Sequence, residues 1–276
     1  MERKESLSTL DLINSHSSVR HFTGQDVPVE DEKLIVNAAR MASSSCNLQP
    51  YSIISVRNPD TRRKIAALSE GAAMAEMAPL LLMICVDQHK LDVVARISGV
   101  EYYKSNFLDS FIIGVSDTSL AAQNAALAAE SLGYGICYIG SIRGKMEELR
   151  SMFKLPDKVF PLYGLAIGVP ARKNPVKPRI PLEGTWFHEV YDEKAAENAV
   201  REYDRSMISS GVYDGRHFTL DYCRIKPGVK KSDQDSYGWI EHSRPQDQLH
   251  EPGGYQARYA RDPGAVSYTH LTLPTN

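Results

Sequence analysis

The segment from Phe107 to Leu132 constrains the fold more than any other part of the chain. It reads FLDSFIIGVSDTSLAAQNAALAAESL, is dense in Ala and Leu, and carries few charges. This pattern predicts one long helix, which Gly133 ends. Such a helix is too apolar to face water on any side, so we expect a partner subunit to cover part of it. Burial inside its own domain is the alternative.

Short apolar segments alternate with amphipathic ones around this helix. Four segments predict strands, among them one that is apolar throughout and therefore buried on both faces: YSIISVRN, PLLLMICVD, GICYIG and VFPLYGLAIGVP. Three more predict helices, the second capped by Asp60 and the third stopped by Pro156: VPVEDEKLIVNAARMA, DTRRKIAALSEG and SIRGKMEELRSMFKLP. Alternating helices and strands favour a three-layer α/β arrangement.

The composition changes after Pro181. DEKAAENAVREYDRSMISSG predicts a more polar helix, and VSYTHLTLPTN at the end resembles translated sequencing-adapter DNA. We therefore expect a main domain over residues 1–192 and a helical and loop extension over 193–244. Residues 245–276 are expected to be disordered or non-native.

Charge and cysteine content exclude several classes of function. The formal net charge of -2 argues against a nucleic-acid partner, which calls for clustered Lys and Arg. The longest apolar run, 78–86, is too short to span a bilayer, and the first residues lack the apolar core of a signal peptide. A cytoplasmic protein is expected. The four cysteines are scattered, so no metal site is indicated, and Cys85 and Cys137 are expected in the core.

Three distant segments carry side chains suited to an anionic, planar ligand. In SHSSVRHFTG, alternate residues can face one side of an extended chain. A run of small hydrogen-bonding residues follows the predicted helix VPVEDEKLIVNAARMA. NPVKPRIP places two cations around a stiffening proline. Taken one at a time, these patterns also suit helix caps, turns and solvated loops. The candidate side chains are His16, Ser18, Arg20, Ser44, Ser45, Asn47, Gln49, Lys177 and Arg179.

Together, the motifs resemble one family. SSVRHFTGQDVP, ARMASSSCNLQPYSIISVRNP, SLAAQNAALAAESLGYGICYIGSIRG and FPLYGLAIGVPARKNPVKPRIP are similar in order and spacing to the FMN-dependent nitroreductases, within the subgroup of NADPH-dependent nitroreductases and flavin reductases. The resemblance covers about residues 10 to 192. It implies an α+β fold, a three-layer sandwich whose central, mostly antiparallel sheet is flanked by helices. It also implies a homodimer with FMN at the subunit interface.

The resemblance also implies roles for individual residues. Ser44, Ser45 and Asn47 would lie along the flavin ring and ribityl chain, with Gln49 as a further donor. The phosphate would be held by His16, Ser18, Lys177 and Arg179. Arg20 would lie near flavin N1 and O2, and the backbone of Tyr138, Ile139, Gly140 and Ser141 near N5 and O4. Candidates for binding NADPH (or NADH) are Arg143, Arg205 and Arg216.

The reaction implied is a ping-pong reduction of small aromatic acceptors, namely nitroaromatics, quinones or free flavin. Two positions depart from close relatives: Ser17 stands where Arg is common, and EGAA around Gly71 replaces a segment with a flavin-contacting Gln. Azo, enoate or dehalogenating reduction on the same fold is an alternative. A non-enzymatic FMN-binding or storage protein is another.

Overall fold

The computed structural model describes residues 8–68, 72–101, 108–211 and 238–242. The chain divides into two compact units, Met1–Val176 and Lys177–Asn276. The first unit holds α1 (Thr9–Asn14), α2 (Val29–Arg40), β1 (Tyr51–Val56), α3 (Pro59–Ala67), α4 (Met74–Met77), β2 (Leu80–Asp87), α5 (His89–Ser98), α6 (Leu108–Ser131), β3 (Gly135–Ile139), α7 (Met146–Phe153) and β4 (Val159–Gly168). The second holds α8 (Glu193–Ser209) and α9 (Trp239–His242).

The four strands form one sheet in the order β1-β2-β4-β3. Every neighbouring pair is antiparallel: Val56 lies opposite Leu81, Leu80 opposite Ile167, and Gly135 opposite Gly168. Helical connections often join parallel strands, but here α3 and α4 pack on each other and return the chain to the end where β1 finished. The expected α+β sandwich with an antiparallel sheet is confirmed.

The core lies on both faces of β2, whose eight residues are all buried. Leu81, Met83 and Cys85 face a cluster that includes Ile65 of α3 and Leu149 of α7. Leu80, Leu82 and Ile84 of the same strand face a second cluster. This cluster includes Ile35 of α2 and Ala122 and Ala126 of α6. The sheet is therefore the middle of three layers, as predicted.

Within the part of the chain that the structure describes, the long helix α6 is buried along one face and exposed along another. Its buried residues include Gly114, Asp117 and a series of alanines. Leu108, Ile112 and Leu120 lie on another face and are 40%, 52% and 48% exposed. The described residues therefore do not bury α6 on every side, although its apolar sequence led us to expect it. Its predicted end is confirmed, since Gly133 has φ of +89° and Tyr134 N–H donates to the Ala129 carbonyl.

Two predicted helix boundaries were wrong. Asn58, not Asp60, caps α3: its side-chain oxygen accepts hydrogen bonds from Asp60 N–H and Thr61 N–H at 2.9 and 3.2 Å. Pro59 occupies the first helical position, where its missing N–H costs nothing. Helix α7 ends at Phe153, before Pro156, because Lys154 adopts a left-handed conformation with φ of +52°.

The second unit is built around α8, which begins where Asp192 accepts a hydrogen bond from Ala195 N–H. Tyr203 of α8 meets the Trp239 ring edge to face, with 5.3 Å between ring centroids. Asp204 accepts a hydrogen bond from Ile240 N–H at 2.8 Å. The predicted polar helix is therefore confirmed, and aromatic contact joins it to α9.

The cysteine prediction is confirmed for the two core thiols. Cys85 and Cys137 are buried, and burial raises the pKa of Cys85 to about 12. Both therefore stay protonated and act as small apolar residues. Within the described ranges, no group of His, Cys, Asp and Glu is arranged to hold a metal ion. None of the helices described there combines the length and apolar character of a membrane span.

Candidate functional site

The segment 16–23 lies between β3 and the chain that follows β4. Val19 N–H donates to the Ile136 carbonyl at 2.8 Å, and Thr23 N–H donates to the Val169 carbonyl at 3.0 Å. Phe22 forms an isolated bridge with Pro170. The backbone of this amino-terminal segment is thereby fixed against the sheet, so alternate side chains have defined directions.

His16 and Ser18 each make a hydrogen-bond contact with a residue far away in the sequence. His16 Nδ1 lies 2.6 Å from Glu130 Oε1, near the end of α6. The second oxygen of this carboxylate, Glu130 Oε2, is buried and has no hydrogen-bond partner within the described part of the chain. The Ser18 carbonyl accepts a hydrogen bond from Asn174 Nδ2 at 2.7 Å. Asn174 precedes Lys177 by three residues.

Arg20 is an exposed cation beside β3. It makes no ion pair with any residue in the described ranges. Burial raises the pKa of the Cys137 thiol, and the nearby positive charge of Arg20 partly offsets that rise. An uncompensated guanidinium next to a buried strand is a ready partner for an anion or an electron-rich carbonyl edge.

The end of β3 carries a half-buried tyrosine. Tyr138 meets Tyr163 edge to face, with ring centroids 5.4 Å apart. Burial, followed by the proximity of Tyr163 and Glu130, raises the pKa of Tyr138, so its phenol stays neutral. Ile139 ends the strand, and Gly140 and Ser141 lead into a 3-10 helix.

Arg143 is bound to its own surroundings. Its Nη1 donates to the Leu162 carbonyl at 3.2 Å, and its guanidinium carbon lies 5.7 Å from the centre of the Tyr163 ring. A Cβ atom at Gly140 would come within 2.9 Å of Arg143 Nη1. Glycine at this position therefore allows the guanidinium to pack against the loop after β3.

The serine loop, defined here as residues 44–49, is anchored to the middle of α6. Ser44 Oγ donates to Asp117 Oδ2 at 2.7 Å, and Ser45 N–H donates to the same carboxylate at 3.1 and 3.2 Å. Gln49 N–H donates to Ser44 Oγ at 2.8 Å. The side chains of Gln49 and Asn47 are bonded to each other at 3.1 Å.

The two anchoring carboxylates were not singled out from the sequence. Asp117 and Glu130 are two of the three charged residues of α6, the third being Asp109. Buried carboxylates are costly unless they are paired, so their position in the apolar stretch was a signal. They lie about 20 Å apart along the axis of α6 at 1.5 Å rise per residue. One chain therefore holds His16 and the serine loop at separate places.

The remaining candidate residues belong to the second unit. Lys177, Arg179 and Arg205 are exposed. Neither Arg179 nor Arg205 forms an ion pair with the residues that the structure describes. Arg216 and Gly71 lie outside the described residues, as do residues 245–276.

The class of fold is defined by an antiparallel four-stranded sheet between helical layers. One polar segment lies along the edge strand β3, and another is anchored on the long helix α6. Residues 13–169 match the family model described as "Nitroreductase family". The chain belongs to the nitroreductase family.

Named relatives and solved structures agree with this membership. The chain is 39% identical over 197 residues to a protein from Pseudomonas sp. (strain G-1) named Cr(VI) reductase, covering 71% of this chain and 81% of that relative. It is 33% identical over 205 residues to "FMN reductase (NADPH)" of Bacillus subtilis (strain 168), covering 72% and 82%. The structure of NfrA1 from B. megaterium superposes with a TM-score of 0.72 at 34% identity, covering 74% and 84%.

Proposed function

We propose that the protein is an FMN-dependent NAD(P)H oxidoreductase that reduces nitroaromatics, quinones or free flavin. The observation that carries this proposal is family membership together with relatives named FMN reductase (NADPH) and Cr(VI) reductase. Bound FMN would supply hydride chemistry between a reduced nicotinamide and the acceptor. The protein's own residues would bind, orient and balance charge.

Arg20 supports a flavin site most directly. It is an exposed cation without an ion pair in the described ranges. A fixed positive charge there would stabilise negative charge that develops on the N1 and O2 edge of a flavin. One such contact is worth roughly 1.5–3 kcal/mol. The groups proposed to lie along the ring are Ser44, Ser45, Asn47, Gln49 and the backbone from Tyr138 to Ser141.

For the phosphate we propose His16, Ser18, Lys177 and Arg179, an imidazole, a hydroxyl and two cations. This set suits a phosphate because charged donors make its strongest hydrogen bonds. Replacing both Lys177 and Arg179 by Ala should release FMN. A double variant that purifies with full flavin content would place the phosphate elsewhere.

We also propose a homodimer in which both copies contribute to each site. Leu108, Ile112 and Leu120 are exposed apolar residues of α6, which a second copy would cover. The serine loop and His16 are anchored about 20 Å apart on the same helix, so a second copy could supply the missing half. Leu120→Glu should yield monomers in analytical ultracentrifugation and lower FMN content in parallel.

The reductant proposed is NADPH, with NADH as the alternative. Of the candidates Arg143, Arg205 and Arg216, Arg205 is an exposed cation without an ion pair in the described ranges. If Arg205 binds the 2′-phosphate, Arg205→Ala should raise KM for NADPH and leave KM for NADH unchanged. Equal effects on both coenzymes would remove this role.

One anaerobic experiment separates the enzyme from a storage protein. Mixing the yellow protein with NADPH or NADH should bleach the flavin band, and adding an acceptor should restore it. The acceptor panel contains a nitroaromatic, a quinone, free FMN and chromate, together with azo, enoate and halogenated compounds. Parallel double-reciprocal lines are expected because reductant and acceptor share one pocket. No bleaching with either coenzyme would favour flavin storage. The cytoplasmic location stays a prediction.

A further inference from the structure

Asp117 is a buried carboxylate in a surrounding of small and apolar residues. It is 3% exposed and shares the buried face of α6 with Gly114, Ala121 and Ala122. Removing a carboxylate from water is costly unless hydrogen bonds replace the lost solvation. The partners of Asp117 therefore indicate why a charge is kept at this position.

Those partners belong to the serine loop. Asp117 accepts hydrogen bonds from Ser44 Oγ at 2.7 Å and from Ser45 N–H at 3.1 and 3.2 Å. Ser44 Oγ in turn accepts from Gln49 N–H at 2.8 Å. The carboxylate thus fixes both ends of the loop, the near end directly and the far end through the Ser44 hydroxyl.

The loop that is held in this way has a strained backbone. Cys46, Asn47 and Gln49 have φ of +48°, +57° and +52°, a region that L residues with side chains seldom adopt. Residues in such conformations persist only where their surroundings force them, and they cluster at ligand sites. The hydrogen bond from Gln49 N–H to Ser44 Oγ spans Cys46 and Asn47, beside backbone hydrogen bonds from Asn47 N–H to the Ser44 carbonyl and from Leu48 N–H to the Ser45 carbonyl. Asp117 holds the start of this loop through Ser44 and Ser45.

We propose that Asp117 is a positioning residue, which holds the serine loop in the backbone conformation that binds the cofactor. This inference rests on the proposed function, since the loop residues are assigned there to FMN. Asp117 acts through Ser44, Ser45 and Gln49 and needs no contact with the cofactor itself. The Ser44 hydroxyl proton is already committed to Asp117, so Ser44 also acts chiefly by shaping the loop.

Positioning and simple charge effects predict opposite signs. Replacing Asp117 by Asn removes a negative charge, and Coulomb's law alone would then tighten the binding of FMN, an anion. Positioning predicts weaker binding, because the neutral amide accepts hydrogen bonds less strongly and the strained loop relaxes. The direction of the change in Kd therefore distinguishes the two.

The experiment titrates FMN into the flavin-free forms of the wild type, Asp117→Asn, Ser44→Ala and the double variant. All titrations are made at a temperature well below the thermal unfolding midpoint of the least stable variant. Thr118→Val is the matched control: Thr118 is the next residue of α6, is fully buried, and its Oγ1 has no partner in the described part of the chain. Kd for FMN and the visible spectrum of the bound flavin are recorded for each.

We expect Kd to rise about tenfold for Asp117→Asn, the size of one lost charge-assisted hydrogen bond. The visible spectrum of the bound flavin should shift in Asp117→Asn, and Thr118→Val should have the Kd and spectrum of the wild type. The Kd of the double variant should not exceed the higher of the two single-variant Kd values, because both substitutions remove the same interaction. If Asp117→Asn does not fold, Ser44→Ala tests the same loop. Unchanged or tighter binding would overturn the inference, even with a lower unfolding midpoint. A wild type that binds no FMN would instead overturn the proposed function.

Discussion

Gly135 allows the amino-terminal segment of the candidate site to lie against β3. A Cβ atom added there would lie 2.5 Å from Val19 Cγ2, 2.8 Å from Val19 Cβ and 2.9 Å from Pro170 Cγ. Val19 is 4% exposed, and neither it nor the proline ring can swing aside easily. Gly135→Ala should therefore push the segment that carries Ser18 and Arg20 away from the sheet.

The expected size of the effect follows from these distances. Carbon atoms pack at about 3.5–4.0 Å, so the new methyl group needs a shift of about 1 Å. Overpacking a well-packed core costs about 1–3 kcal/mol. If the displaced segment also loses one charge-assisted contact to FMN, Kd rises about tenfold.

The assay is urea unfolding of the flavin-free protein at one fixed protein concentration, because the stability of the proposed dimer would depend on concentration. FMN titration is run in parallel. Gly144→Ala is the control: a Cβ atom there meets nothing within 4 Å, so its stability should be equal or slightly higher. Gly135→Ala with wild-type stability and wild-type Kd would refute the proposed fit between β3 and the amino-terminal segment.

Three further predictions concern the core, a helix cap and a buried phenol. Leu82→Ala, at a fully buried position of β2, should lower the free energy of unfolding by about 2–5 kcal/mol in urea denaturation; a loss under 1 kcal/mol would contradict the packing. Asn58→Ala should cost about 0.5–2 kcal/mol because two hydrogen bonds to the start of α3 disappear, whereas Asp60→Ala should leave that cap intact. Burial, followed by the hydrogen bond to Asp31, raises the pKa of Tyr134 to about 12. Since the folded protein holds this proton more tightly than the unfolded chain, its contribution to stability is present below pH 10 and is lost as pH approaches 12. The free energy of unfolding of Tyr134→Phe, measured by urea denaturation, should therefore fall less between pH 10 and pH 12 than that of the wild type. If the two proteins lose the same free energy over this interval, the raised pKa of Tyr134 is contradicted.

The local pattern of the chain was enough to locate most helices and strands. The uniformly apolar PLLLMICVD segment predicted the buried strand β2, and the Ala-rich segment predicted α6 and its end at Gly133. These elements were predictable because strand burial and helix periodicity are repeated along neighbouring residues. The cap at Asn58 was missed because Pro59 and Asp60 are also common at helix starts.

Direction and pairing of the strands depended on contacts between distant residues. The alternation of helices and strands alone is equally compatible with parallel crossovers, and only the packing of α3 on α4 returned the chain for an antiparallel pair. The family resemblance, which depends on several motifs at once, predicted this feature correctly.

The sequence by itself determined the polar segments that form the candidate site: the alternating His16, Ser18 and Arg20, and the run of serines after α2. Their chemistry is local, since it depends on which side chains stand next to one another. Only the tertiary structure decided what holds these segments. Asp117 reaches the serine loop across 73 positions and Glu130 reaches His16 across 114, and contacts at such separations leave no periodic pattern in a sequence.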